Sequence, residues 1–137
     1  MSERTFIDTN VFVYAEDADE PEKRKIAQRL IQELTVAGRA VISTQVLIEY
    51  VAASRRHLGF TLAECRQGVL LMSHLDVVLI RSEHVLGAVD LASMYSLSSW
   101  DALILKTAST SGCGRLLTED MQDGQVIDGV RIEDPFS

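Results

Sequence analysis

The feature that most restricts the fold of this chain is an alternation of two periodicities. RTFI (residues 4–7), AVIS (40–43), DVVLI (76–80) and RLLT (115–118) are short apolar runs of strand type, and VI with VRI, broken by Asp128 and Gly129, reads as a short fifth. Between them lie longer segments whose apolar residues recur three and four apart, the spacing of one helical face. Strands separated by helices pair in parallel through crossovers, and a parallel sheet must be covered on both faces. The expectation is therefore an α/β fold with a mostly parallel central sheet of four to five strands flanked by helices. A chain of 137 residues supplies one such core and not two, so residues 1–137 read as a single domain.

The helices announce their ends. Asp8 to Asn10 can cap the first, and Asp19, Glu20, Pro21 and Glu22 open the second, in which Ile26, Ala27, Leu30, Ile31 and Leu34 share a face before Gly38. A third runs from about Thr44 to His57, with Val46, Leu47, Tyr50 and Val51 as its apolar residues, and ends at Leu58 and Gly59. Thr61 followed by Glu64 is a capping-box pattern that opens a helix to about His74. Ser82 caps the next, with Val85, Leu86, Val89 and Ala92 on one side. Ser98 or Ser99 starts the last, with Trp100, Leu103, Ile104 and Ala108 expected in the core and Gly112 or Gly114 stopping it.

In open α/β sheets ligands sit at the carboxyl ends of the strands, near the switch in strand order. Four carboxylates fall where this topology can gather them. Asp8 follows the first strand, Glu49 lies one turn into the third helix, Asp101 is in the first turn of the last helix, and Asp120 comes two residues after RLLT, with Asp123 close behind. Each has a plainer reading. Asp8 and Asp101 can serve as helix caps, Asp120 and Asp123 as turn residues, and Gln45, Glu49 and Arg56 as a solvated helical stripe. Gathered in one pocket the acids would repel, since two unit charges ~4 Å apart interact by about 4 kcal/mol at an effective dielectric of about 20. Such a pocket needs a cation. Oxygen ligands without His or Cys point to Mg²⁺ or Mn²⁺, which also bridge to substrate phosphates and activate water for in-line attack on a phosphodiester. Asp8, Glu49, Asp101 and Asp120 are thus the candidate metal-binding and catalytic residues, and Thr9, Asn10 and Thr118 could orient metal-bound water or phosphate.

IDTNVFVYA, QVLIEY, SSWDALILKTA and LLTEDMQDG together span most of the chain, and in them the sequence resembles the PIN-domain ribonucleases, in particular the VapC-like toxins of bacterial type II toxin-antitoxin modules. The resemblance implies a three-layer α/β sandwich with a metal-dependent endoribonuclease site. It matches Asp8, Glu49, Asp101 and Asp120 to the family's acidic quartet, Asp123 to an occasional fifth acid, and Asn10 and Thr118 to polar supporting positions. It further implies an RNA substrate, pairing into a homodimer, and a cognate antitoxin whose C-terminal segment lies over the active site. One position departs from the pattern: relatives often carry a polar residue before the helix glutamate, where this chain has Ile48.

Charge and composition remove other classes. A formal net charge of −7 argues against nucleic-acid binding by bulk electrostatics, although a local metal site is untouched by that sum. No apolar stretch approaches the ~20 residues of a membrane span. MSERTFID lacks the regions of a signal peptide, and Cys65 and Cys113 form no CxxC pair, which together suggest a reducing cytoplasm and inert thiols. Lys23, Arg24, Lys25, Arg55 and Arg56 read first as solvated helix faces and second as RNA-backbone contacts. His57, His74 and His84 lack metal-ligand spacing and read as structural or surface residues. Two other classes compete: a PIN-like scaffold that binds RNA or protein without cleaving, and a receiver-like phospho-acceptor domain. The second would want a lysine after a late strand, whereas RLLT is followed by Glu119 and Asp120. A dehalogenase-type DxD nucleophile would need aspartate where Asn10 stands.

Overall fold

The structure, a computed structural model, describes residues 3–137; Met1 and Ser2, where the reading of the N-terminus as leaderless begins, lie outside the described residues. In chain order the elements are β1 (Thr5–Ile7), α1 (Thr9–Tyr14), α2 (Pro21–Val36), β2 (Ala40–Ser43), α3 (Thr44–Leu58) and α4 (Leu62–Met72). They continue as β3 (Asp76–Val78), α5 (Ser82–Tyr95), α6 (Ser99–Thr110), β4 (Arg115–Leu117), β5 (Val126–Ile127) and β6 (Val130–Glu133). The strands form one sheet in the order β3-β2-β1-β4-β6-β5, parallel except for the β5–β6 pair. From β1 the chain builds outward through β2 to β3, then returns to β1's other side at β4. With right-handed crossovers this reversal puts α1 to α4 on one face and α5 with α6 on the other. It also makes the carboxyl ends of β1 and β4 the switch point of the sheet.

β1 lies in the middle with its three residues fully buried, and its one polar side chain, Thr5, donates to the Glu3 carbonyl (3.0 Å). The core around it is one cluster that includes Phe6, Ile7, Val41, Ile42, Tyr50, Leu105, Leu116 and Leu117. Of the predicted caps, Ser98 accepts from a backbone amide of α6, and Thr61 and Glu64 close the reciprocal box on α4; Ser43, which the sequence reading does not name as a cap, accepts from an amide of α3. Gly59 ends α3 with φ +68°, the left-handed geometry that favours glycine. Cys65 and Cys113 are buried free thiols, and burial pushes Cys113 up to about 11. Among the described residues no helix is long and apolar enough to cross a membrane.

Four details differ from the sequence reading. Asp128 and Gly129 do not merely break a fifth strand: both have positive φ, 54° and 81°, and turn the chain so that β5 and β6 form an antiparallel hairpin, giving six strands among the described residues. An Asp-Gly pair with both residues in that region makes the two-residue turn that matches strand twist. β3 stops at Val78, because the Ile80 amide is taken by the Thr44 hydroxyl (3.2 Å). On α5 the buried residues are Ala88 and Leu91, while Val85, Leu86 and Val89 are exposed and the N-cap is Arg81 instead of Ser82. That helix is apolar nearly all round, and its small residues select the inner face: a Cβ at Gly87 would collide with the Lys106 side chain of α6. Trp100, expected in the core, is 67% exposed, since burial along its side of α6 begins only at Leu103 and is complete at Thr107.

Candidate functional site

Asp8 ends β1 and caps α1. Burial is nearly total, and both carboxylate oxygens are used: Oδ1 accepts from the Thr9 amide (2.7 Å) and Oδ2 from the Thr118 hydroxyl (2.8 Å). Thr118 follows β4, the strand hydrogen-bonded to β1, and the Asp8 amide itself donates to the Leu117 carbonyl (3.0 Å). The sheet therefore fixes this pair. The Thr118 oxygen also accepts from the Asp120 amide (3.1 Å) and from Asn10 Nδ2 (3.2 Å), and the same Asn10 nitrogen donates to Asp120 Oδ2 (3.1 Å). Asp8, Thr118, Asn10 and Asp120 thus form one connected network.

The second side of the site comes from helices. Thr9 donates its hydroxyl to Glu49 Oε1 on α3 (3.2 Å), and Gln45, one turn before Glu49, donates from Nε2 to Glu49 Oε2 (2.9 Å). The same nitrogen reaches the Trp100 carbonyl on α6 (3.2 Å), immediately before Asp101. Glu49 and Asp101 are half-buried and Asp120 is exposed, so the site opens outward from Asp8.

The electrostatics record the crowding. Burial pushes Asp8 up to about 7, with Glu49 and Asp120 adding like-charge repulsion and the hydrogen bonds from Thr118 and Thr9 opposing. Asp101 is also raised, first by burial and next by the negative charge of Asp120, with a smaller push from Glu49. The structure thus brings Asp8, Glu49, Asp101 and Asp120 within mutual electrostatic reach, with Thr9, Asn10 and Thr118 bonded to them. Asp123 is not part of this network: its Oδ1 accepts from the Asp134 amide (2.8 Å) and ties the loop to the C-terminal segment.

A cleft of about 730 Å³ opens beside the acids, with Thr9, Asn10, Glu49 and Asp120 at one end and Ala52, Ala53, Arg56 and His57 along α3. Lys23 lines it too. The sequence reading favoured Lys23 and Arg56 as solvated faces and His57 as structural or surface; the fold turns all three to the cleft wall. Lys23 is committed within the protein: its Nζ donates to the Tyr14 hydroxyl (3.3 Å) and to Glu119 (3.4 Å), while Tyr14 donates to Glu119 (2.6 Å). This cluster anchors Glu119, and with it the loop that carries Asp120, to α1 and α2. Neither Tyr14 nor Glu119 was singled out beforehand, although Tyr14 stands one helical turn after Asn10.

Among the described residues two buried side-chain polar atoms have no partner, Asn10 Oδ1 and Gln45 Oε1. Among the described residues no three of His, Cys, Asp and Glu converge closely enough to grip a bare ion. The donor set fits instead an ion that keeps much of its hydration shell, as Mg²⁺ does when bound through one or two carboxylates. Water on such an ion donates hydrogen, and the two idle amide oxygens are acceptors of that kind.

Residues 5–122 match the sequence model of the PIN domain, which covers most of the chain. The chain belongs to the PIN-domain family. No curated protein matches it in sequence. Solved structures with this fold include a toxin-antitoxin complex from Klebsiella pneumoniae, at TM-score 0.71 and 21% identity over 96% of this chain and 97% of that one. VapC20 of Mycobacterium tuberculosis, a toxin that cleaves the sarcin-ricin loop, is similar at TM-score 0.63 and 18% identity, over 82% of this chain and 86% of that one. VapBC2 of Rickettsia felis, bound to a DNA fragment from its promoter, is similar at 0.67 and 16%, over 94% and 96%. At these identities the likeness establishes the fold of the PIN domain, and its chemistry has to be argued from the site above.

Proposed function

We propose that this PIN domain is a Mg²⁺- or Mn²⁺-dependent endoribonuclease and the VapC-like toxin of a toxin-antitoxin pair. The observation that carries the reading is the convergence of four acids at the switch point of the sheet, with the Asp8 carboxyl held up at about 7. A fold does not gather like charges around a buried carboxyl for stability, whereas a divalent cation turns that repulsion into binding. In this reading Asp8 is the anchoring ligand, kept in one orientation by Thr118 and the Thr9 amide, and Asp101 and Asp120 complete the cation side. Glu49, steered by Thr9 and Gln45, faces the cleft and holds a proton-accepting carboxylate near the phosphodiester. When bound, the cation supplies an activated water and neutralises the charge on the leaving oxygen. Arg56 and His57, further along the cleft, are placed to meet the RNA backbone.

The structural neighbours solved with antitoxins support a protein partner for this chain as well, a cognate antitoxin that closes the acidic cleft. Val85, Leu86 and Val89, exposed on one face of α5, support pairing of two copies, since apolar residues grouped on a surface favour being covered. A cytoplasmic setting, where RNA and antitoxin meet, belongs to the same proposal.

The test uses the purified chain free of antitoxin. RNA should be cut with Mg²⁺ or Mn²⁺, cutting should stop with EDTA, and Asp8→Asn or Asp101→Asn should abolish it. Cleavage unchanged in those variants would overturn the assignment. RNA binding without cleavage under every metal condition would establish the scaffold reading in its place.

A further inference from the structure

Gln45 lies at the second position of α3 and is 6% exposed. Its amide nitrogen bridges two acid-bearing helices, donating to Glu49 Oε2 at 2.9 Å and to the Trp100 carbonyl at 3.2 Å, one residue before Asp101. Its amide oxygen has no partner among the described residues. The orientation is dictated by charge: turning the amide over would aim oxygen at the Glu49 carboxylate.

For stability alone this is a poor use of a core position. A buried acceptor left idle carries a desolvation cost that an apolar side chain of equal length avoids. Asn10 repeats the pattern, with its nitrogen shared by Thr118 and Asp120 and its oxygen idle. In both residues the nitrogen is taken up at the acid cluster and the oxygen is held in reserve.

We propose that Gln45 is a positioning residue of the cation site: its nitrogen fixes Glu49 relative to the first turn of α6, and its free carbonyl oxygen accepts hydrogen from water on a hydrated Mg²⁺ or Mn²⁺. The inference rests on the metal-dependent reading above and assigns that site a member outside the acidic quartet. It also accounts for the departure at Ile48. That side chain is 66% exposed, so polar support for Glu49 comes from Gln45, one turn earlier on the helix.

The experiment is Mn²⁺ titration of the purified chain without RNA, read by calorimetry and by the rise in Tm over that in EDTA. Gln45→Met keeps the length and removes both polar atoms. Expected are an unchanged Tm in EDTA and Mn²⁺ binding weaker by about 10- to 100-fold, the usual effect of losing an outer-shell partner. Affinity within twofold of the native chain would overturn the proposal. If Gln45→Met does not fold, Gln45→Glu serves: it places a second carboxylate against Glu49, so Tm should drop in EDTA and recover with Mn²⁺, and a Tm in EDTA equal to the native value would overturn the proposal. A native chain that binds no Mn²⁺ while Asp8→Asn behaves identically would sink the metal reading itself, and this inference with it.

Discussion

The two sides of the acid site are built differently. On the strand side, Asp8 and Thr118 follow adjacent paired strands, both are buried, and each oxygen of the aspartate has a donor. On the helix side, Glu49 and Asp101 are half-buried and are related to each other through one glutamine amide. The strand side is rigid and carries the electrostatic penalty, whereas the helix side is open to the cleft and can adjust to what enters it. Under the proposed metal-dependent function, a site made this way would keep a fixed anchor for the cation while leaving the substrate face free to move.

Removing the anchor should have the largest effect. Asp8→Asn is expected to lower metal-dependent RNA cleavage on the order of a hundredfold to a thousandfold or more, measured as initial rate at saturating Mn²⁺. The same variant should be at least as stable as the native chain in EDTA at neutral pH, because it removes a buried charge. Equal cleavage in the two proteins would erase the distinction between the sides.

Next comes a pH effect specific to the strand side. The Asp8 carboxyl rises from 3.8 to about 7 on folding, so between those values the native state binds more protons than the unfolded chain. Its contribution to stability is therefore present below about pH 4, is lost as pH rises toward 7, and stays lost above. Urea unfolding in EDTA at pH 4.5 and 7.5 should show the native chain losing roughly 3 kcal/mol relative to Asp8→Asn, and added Mn²⁺ should restore it. A difference between the two proteins that does not change with pH would contradict the burial argument.

Thr118→Val should be milder. It strips Asp8 of one donor, leaves the Asp120 amide without its acceptor and leaves Asn10 Nδ2 with Asp120 alone, for a loss of about 1–3 kcal/mol by denaturant unfolding. The smallest change belongs to the helix side: Glu49→Gln should shift stability in EDTA by less than about 1 kcal/mol while weakening cleavage. A larger destabilisation from Glu49→Gln than from Thr118→Val would invert the comparison.

Much of the frame was legible because it is local. Strand type in TFI and AVIS, the Thr61 and Glu64 box, and the Gly59 stop depend on residues within a turn or two of each other. Asp8, Glu49, Asp101 and Asp120 could be nominated because strand ends in a parallel sheet lie at one edge whatever the intervening helices do. Asp123 was nominated with them and is bonded elsewhere, since a loop residue three positions on has no strand to aim it. The inner face of α5 differs from the sequence reading for another reason. α5 is apolar nearly all round, so periodicity could not choose a side, and the close approach permitted by Gly87 did.

The sequence by itself determined that this chain forms a parallel α/β sheet and that its acids sit where such sheets bind ligands, because hydrophobic period and capping chemistry act over a few residues. Only the tertiary structure decided what those acids experience. The depth of Asp8, the hand of Thr118 on it, the idle oxygens of Asn10 and Gln45, and the turning of Arg56 and His57 into the cleft all follow from contacts between residues far apart in the chain. Burial and charge proximity depend on distance in space, and chain spacing fixes that distance only within a single helix or strand.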